Sequence, residues 1–291
     1  LQKYGETGSM HFGLLTGSYA KNTSGGVLRK RIGTIADELN LLTGQFDTNT
    51  NGIIQTINKL RIYGFDYGSH SYNQNCGWIT TRPISEGECR MWGNPTAEMM
   101  YESMRYLSGA NSATSAFTYS GTTDDATLGL PTPTWDRPYD THAACSKPFM
   151  LVISDVNPSY DSDQLPGSAF NSFSSSSLGT FNAASVARTI ADGESISGNY
   201  FIGQTTSSNY DNSCSAKTAS GNLLGDMRGL CPEEPTKQGS FYSASVAHYG
   251  KTVGFTVTGS TKQYPETFTV GLASPLPRLE IPVGRNTITL V

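Results

Sequence analysis

Residues 149–158, FMLVISDVNP, decide how the rest of the chain is read. Phe149, Met150, Leu151, Val152 and Ile153 form an apolar run without period-2 alternation, which reads as a short strand buried on both faces. Such a strand belongs in the middle of a parallel sheet rather than at its edge. Asp155 then stands at the strand's carboxyl end, the rim where open α/β sheets gather loops and helix N-termini and bind ligands or metals. It is the first candidate site residue. A plainer role is equally open to it, because an Asp at a strand end also caps the turn that follows, here 154–158, through its own backbone.

Upstream of that strand, Asn94-Pro95-Thr96-Ala97-Glu98 is a helix-start signal: Asn94 or Thr96 can cap, Pro95 suits the first turn and Glu98 complements the dipole. A helix is expected over 96–107, with Met100, Met104 and Leu107 as a core stripe. Earlier still, 10–19 reads as a strand and 27–35, interrupted by Arg29, Lys30 and Arg31, as its partner or as a surface ribbon. Ile53, Ile54, Ile57 and Leu60 have helical spacing, so 52–62 is an amphipathic helix facing the sheet. Downstream, Asp161 and Asp163 add carboxylates to the same rim, as partner-binding groups or as solvated turn acids. Residues 168–180 read as a Ser-rich linker, 182–191 and 241–249 as helices and 199–203 as a short strand. From residue 251 the pattern turns to β, with runs at 252–258, 267–273 and 278–291.

The expected fold class is therefore α/β: a mostly parallel sheet flanked by helices over 1–250, carrying long insertions at 66–93, 110–141 and 204–240. Residues 251–291 are its β-rich end or the start of another module. Both termini read as cut positions, since Leu1-Gln2 is no natural start and 287–291 is strand-like in character.

Composition narrows the class. The chain has 291 residues, 36% hydrophobic and 15% charged, with 31 Gly and 15 Tyr, an uncharged polarity more common outside cells than in the cytosol. A net charge of −4 argues against a nucleic-acid partner, which calls for a basic face. No segment is apolar enough to cross a bilayer, so direct membrane insertion is not expected. Cys76 with Cys89, and Cys214 with Cys231, each bracket a polar loop that a disulfide would staple, pointing to an oxidising compartment. Cys145 is left over, either a buried thiol or the partner of a cysteine outside this chain. Trp78 and Trp92 lie on the first stapled loop, as a recognition surface or as that loop's own small core.

Asp47-Thr48-Asn49-Thr50-Asn51-Gly52 fits the first half of a calcium loop, with Asp47, Asn49 and Asn51 as oxygen ligands. The position where a bidentate Glu closes such a loop is Asn58, and the same residues also make ordinary Asx turns. For catalysis the sequence holds no nucleophile elbow, no zinc-protease helix motif and no phosphate loop, and its four His residues are scattered. A non-enzyme is expected.

The order of strand, helix, Thr-bearing turn, helix, and central strand ending in Asp resembles von Willebrand factor type A domains. More specifically, GLLTGSYAKNTSGGVLRKRIG (13–33), EGECRMWGNPTAEMMYESMRYLSG (86–109), LVISDVNPSYDSDQLPG (151–167) and the run from ASVARTIADGE (184–194) to GLASPLPRLEIPVG (271–284) resemble the N-terminal region of the PilC/PilY family. That family comprises type IV pilus tip-associated adhesins and biogenesis factors. The resemblance implies a protein exported through the periplasm to the cell surface, binding minor pilins at the pilus tip and host or abiotic surfaces. Larger members add a β-propeller with a calcium site. Type A domains hold Ca²⁺ or Mg²⁺ with a D-x-S-x-S turn, a Thr and an Asp; by position Thr96 and Asp155 resemble the last two. The D-x-S-x-S turn does not occur in this sequence. Either it lies upstream of Leu1, leaving a central strand to be supplied, or this version has lost its metal.

Overall fold

The computed structural model describes residues 7–73, 76, 79, 81–121, 123–173, 178–205, 211, 213–219, 223–231, 235–257, 259, 261–272, 279–284 and 286–290. In chain order, β1 (Phe12–Thr16) and β2 (Val27–Gly33) form an antiparallel hairpin, followed by α1 (Ile53–Lys59) and the small ladder β3 (Phe65–Asp66) with β4 (Ser71–Tyr72). Next come α2 (Thr96–Leu107), the short turns α3 (Asp124–Thr127) and α4 (Pro138–Thr141), and β5 (Phe149–Ser154). After α5 (Ala183–Gly193), β6 (Gly198–Thr205) pairs antiparallel with both β7 (Ser215–Ala219) and β8 (Met227–Leu230). Finally α6 (Tyr242–Thr252) precedes β9 (Phe255–Thr256), β10 (Lys262–Gln263), β11 (Glu266–Gly271) and the hairpin β12 (Leu279–Val283) with β13 (Asn286–Leu290).

The α2 bounds match the sequence expectation, and its Met100, Met104 and Leu107 are buried. These side chains fall on one face at helical spacing and pack on α6. Around them a core assembles from α2, α5 and α6, with Ile202 of β6, Met227 of β8 and Met150 of β5. Tyrosines enter it with their hydroxyls satisfied. Tyr249 donates to the Leu178 carbonyl at 2.8 Å, and Tyr242 donates to that of Gly225 at 2.7 Å. Asn182 caps α5 by accepting from Ser185 N–H at 2.8 Å, as its residue type favours.

The expected mostly parallel sheet is not what the described strands make. They form five two-stranded ladders and one three-stranded antiparallel sheet, and β5 with β11 is the single parallel pair among them. Nor is β5 buried on both faces. Met150 and Val152 face the helices, whereas Phe149, Leu151, Ile153, Phe268, Val270 and Leu272 are between 46 and 70% exposed. The apolar run reflects two faces that are both apolar, of which only one is covered by described residues. Ile57 of α1 and Leu60 just after it face the cleft lined by β1, α2 and β5, and stay 54% and 37% exposed there.

Two long insertions hold more order than their composition suggests. Residues 204–240 contribute β7 and β8 instead of a bare loop. Residues 110–141 are tied down by Arg29, which is fully buried in β2, the strand paired with β1, so the partner reading of 27–35 holds and the surface-ribbon reading does not. Its guanidinium meets Asp125 at 2.5 Å, Tyr119 Oη at 2.8 Å and Thr16 Oγ1 at 2.9 Å. The Asp125 carboxylate also accepts from Ala20 N–H at 3.0 Å and Ser18 Oγ at 3.1 Å, so the buried pair is hydrogen-bonded all round. No helix among the described residues is long and apolar enough to cross a membrane.

Candidate functional site at the carboxyl rim of β5

Asp155 follows the last residue of β5 and is exposed. The structure links it to Thr96 through a residue expected only as a helix cap, Asn94. The Asn94 amide nitrogen donates to Asp155 Oδ1 at 2.9 Å, Ser154 Oγ at 2.8 Å and the Asn157 carbonyl at 3.2 Å, while Thr96 Oγ1 donates to Asn94 Oδ1 at 3.0 Å. Asp155 Oδ1 also accepts from Asn157 N–H at 3.0 Å, so the turn-capping role is realised at the same time. Neither Asn94 nor Thr96 caps α2 with its side chain. An antiparallel bridge from Asn94 to Ser159 fixes the loop before α2 against the loop after β5.

Beneath this rim the structure gathers acids. Glu98 is fully buried, accepting from Gly25 N–H at 2.6 Å and Gln164 N–H at 3.1 Å. Its burial, with Asp163 and Asp161 nearby, holds its carboxyl well above the usual range. Asp161 is not the surface acid expected. It is fully buried, and desolvation pushes its pKa up to about 7. One carboxylate oxygen accepts from Ser240 N–H at 2.7 Å, and the other has no partner among the described residues. Asp163 is raised too, burial again being the main cause. Glu98 and Asp161 thus belong to the interior that supports the rim, and neither presents a charge to a partner.

The first stapled loop docks on the same edge. Both disulfides expected from loop spacing are formed, Cys76–Cys89 and Cys214–Cys231. Cys145 is an exposed free thiol rather than a buried one. The loop is held by Asn22, whose amide donates to the carbonyls of Glu88 at 2.8 Å and Trp92 at 2.7 Å and accepts from Gly87 N–H at 2.8 Å. Gly93 passes so close that a Cβ there would lie 2.0 Å from the Asn22 carbonyl oxygen, and its φ of +125° is open to glycine alone. Trp92 is half-buried, edge-on to Tyr72 at 5.6 Å and 4.7 Å from the Lys237 ammonium. It thus packs between Tyr72 of its own loop and Lys237 of a distant segment. Trp78 lies outside the described residues.

The Asp47 loop is closed by its own hydrogen bonds. Asp47 accepts from Thr50 Oγ1 at 2.6 Å and Asn49 N–H at 2.9 Å, contacts that hold its pKa below the ordinary value. Asn51 Oδ1 accepts from the Lys59 ammonium at 2.6 Å, which places a positive charge where a calcium ligand was expected. Among the described residues no group of three or more His, Cys, Asp or Glu side chains is placed to hold a metal ion. Sequence reading missed Asn94 as the hub of the rim and Asn22 as the clamp. The signal available was local only: Asn94 stands between Gly93 and Pro95, and Asn22 opens Asn22-Thr23-Ser24-Gly25, the composition of any turn.

An α/β scaffold with stapled loops and a polar rim on a strand's carboxyl end is the setting in which the comparisons with known proteins fall. Residues 12–250 match the family described as "PilY1 homolog, second domain", and the chain belongs to that family. The whole chain is 43% identical, over 311 aligned residues, to the "Type IV pilus biogenesis factor PilY1 homolog" of Xylella fastidiosa. It spans 20% of that relative's length. No solved structure matches.

Proposed function

We propose that this chain is a recognition and assembly module of a type IV pilus-associated factor displayed at the cell surface. The observation that carries the reading is the identity of 43% along the whole chain to a protein named a type IV pilus biogenesis factor. In this reading the factor crosses the periplasm, stands at the pilus tip, binds minor pilins there and attaches to host-cell or abiotic surfaces. It works by binding and not by catalysis. Two disulfides and the net charge of −4 accord with an oxidising, extracellular setting and with protein or glycan partners rather than nucleic acid.

The rim of β5 is read as a type A-like site in which Thr96 and Asp155 contribute to holding Ca²⁺ or Mg²⁺. Asp155 meets the amide nitrogen of Asn94 and Thr96 its amide oxygen, so a cation shared by the two must displace the Asn94 side chain. One Asp and one Thr make a thin shell for ions that take six or more oxygens, so further ligands must come from water or from another segment.

Replacing the natural gene with one lacking the segment corresponding to 12–250 tests the assembly role. Loss of surface pili and of attachment, with the remaining protein still exported, is the expected result. Normal pili and normal attachment would remove it. For the metal, thermal unfolding of the non-reduced protein with Ca²⁺, Mg²⁺ or chelator should show a midpoint gain abolished by Asp155→Ala. A gain that survives Asp155→Ala and Thr96→Ala places the ion elsewhere.

A further inference from the structure

The Ser-, Thr- and Pro-rich insertion 110–141 has no part in the rim, and a connection of that length inside a compact domain calls for a role. Together with the start of β2 it encloses a cavity of about 330 Å³, at the lower end of the range of small-ligand sites. Residues 26–28 form one side, and the insertion supplies three aromatic rings, those of Phe117, Tyr119 and Trp135. It also supplies Asn111, Ser112, Thr118, Thr132 and Thr134, which are polar without charge. Among the described lining residues none is charged. The aromatic walls are fixed in place. Phe117 is buried and stacks with Phe173 at 6.3 Å, and the Tyr119 hydroxyl accepts from Arg29 at 2.8 Å. Trp135 is half-buried, with the Arg105 guanidinium 5.5 Å from its ring centroid and the Tyr106 ring edge-on at 5.4 Å. Backbone is held as well, since Arg105 donates to the Ser112 carbonyl at 3.2 Å and Arg31 to that of Thr134 at 2.7 Å. A ligand entering a cavity shaped in advance does not have to order the loop, which lowers the cost of binding.

We infer that this cavity binds an uncharged sugar unit of a glycan. Three properties select that chemistry. A sugar ring has apolar C–H faces that pack on aromatic rings, here Tyr119 and Trp135. Its hydroxyls both donate and accept hydrogen bonds, as do the amide of Asn111 and the hydroxyls of Ser112 and Thr132. Because the described lining carries no charge, a carboxylate or phosphate on the ligand would enter unpaired, at a cost that excludes acidic sugars. A proline-rich peptide also docks on aromatic grooves, but each Pro lacks an N–H, so it would leave the oxygen acceptors of this lining without donors. The volume admits roughly one or two sugar rings, the end of a glycan chain. The inference gives a ligand class to the attachment reading above and rests on it for where the sugar is met.

The test uses the full-length, non-reduced protein and saturation-transfer NMR. The probes are glucose, galactose, mannose, N-acetylglucosamine and N-acetylgalactosamine at millimolar concentration, beside sialic acid and a proline-rich peptide. At least one neutral sugar should bind, with affinity reduced at least about tenfold in Trp135→Ala and in Asn111→Ala/Thr132→Val. The second variant changes exposed side chains only, so its thermal midpoint should match the parent and its loss of binding is not a loss of fold. Binding by none of the neutral sugars, binding of sialic acid or the peptide in their place, or undiminished binding in the double variant overturns the inference. The attachment reading fails separately: a sugar that binds as expected but does not compete the attachment of piliated cells leaves the sugar site standing and removes that reading.

Discussion

Asp161→Asn isolates the energetic cost of the buried acid beneath the rim. In the folded protein Asp161 holds its proton up to about pH 7, against an ordinary value of 3.8. Between those values the native state binds one proton more than the unfolded chain, so stability falls as pH rises through the window and levels off above it. At roughly 1.4 kcal/mol per pH unit the ionised carboxyl costs the native state about 4 kcal/mol at pH 8 and almost nothing below pH 4. The amide keeps the acceptor for Ser240 N–H and cannot ionise. Urea unfolding of the non-reduced protein, followed by tryptophan fluorescence from pH 4 to 8, measures the difference. The Asn variant should gain on the parent by about 2–4 kcal/mol across that range, even if it starts lower for lack of an ideal hydrogen bond. A constant difference would refute the reasoning, showing that the carboxyl is already ionised at low pH or is reached by water.

Other outcomes test the scaffold. Arg29→Met strands the buried Asp125 carboxylate and should cost about 3–5 kcal/mol in urea unfolding, most of it recovered in Arg29→Met/Asp125→Leu; an unrecovered double variant would assign the loss to packing. Removing Cys76–Cys89, which closes a 13-residue separation, should cost about 3 kcal/mol and raise proteolysis within 66–93 first, a result that unchanged protease maps would contradict. Gly93→Ala should destabilise by at least about 2 kcal/mol through the clash with the Asn22 carbonyl, and Asn22→Ala should loosen the same loop, visible as faster amide exchange at Gly87. Cys145 should react with a maleimide in the folded 1–291 chain, whereas resistance would place it under cover.

Helix α2 was legible because its apolar residues repeat at 3.6 and its start carries Pro95 and Glu98, signals contained within one window of sequence. The disulfide pairs were legible for the same reason, each bracketing one loop. Charges were misread where their partners lie far away in sequence. Arg29 meets Asp125 across 96 residues, and Asp161 meets Ser240 across 79, separations at which no local pattern distinguishes a buried pair from a solvated one. Asn94 is a similar case, since a turn asparagine becomes the hub of a rim only when β5 arrives beside it.

The sequence by itself determined which segments are apolar at helical or strand period, which loops are stapled, and, through long motifs, the family. Those properties reside in side-chain order along the chain. Only the tertiary structure decided that β5 is covered on one face and open on the other, that β1 and β5 flank an apolar channel, and that Glu98 and Asp161 lie inside. Burial is a property of what packs against a residue, and an apolar run records the need for cover without recording what supplies it.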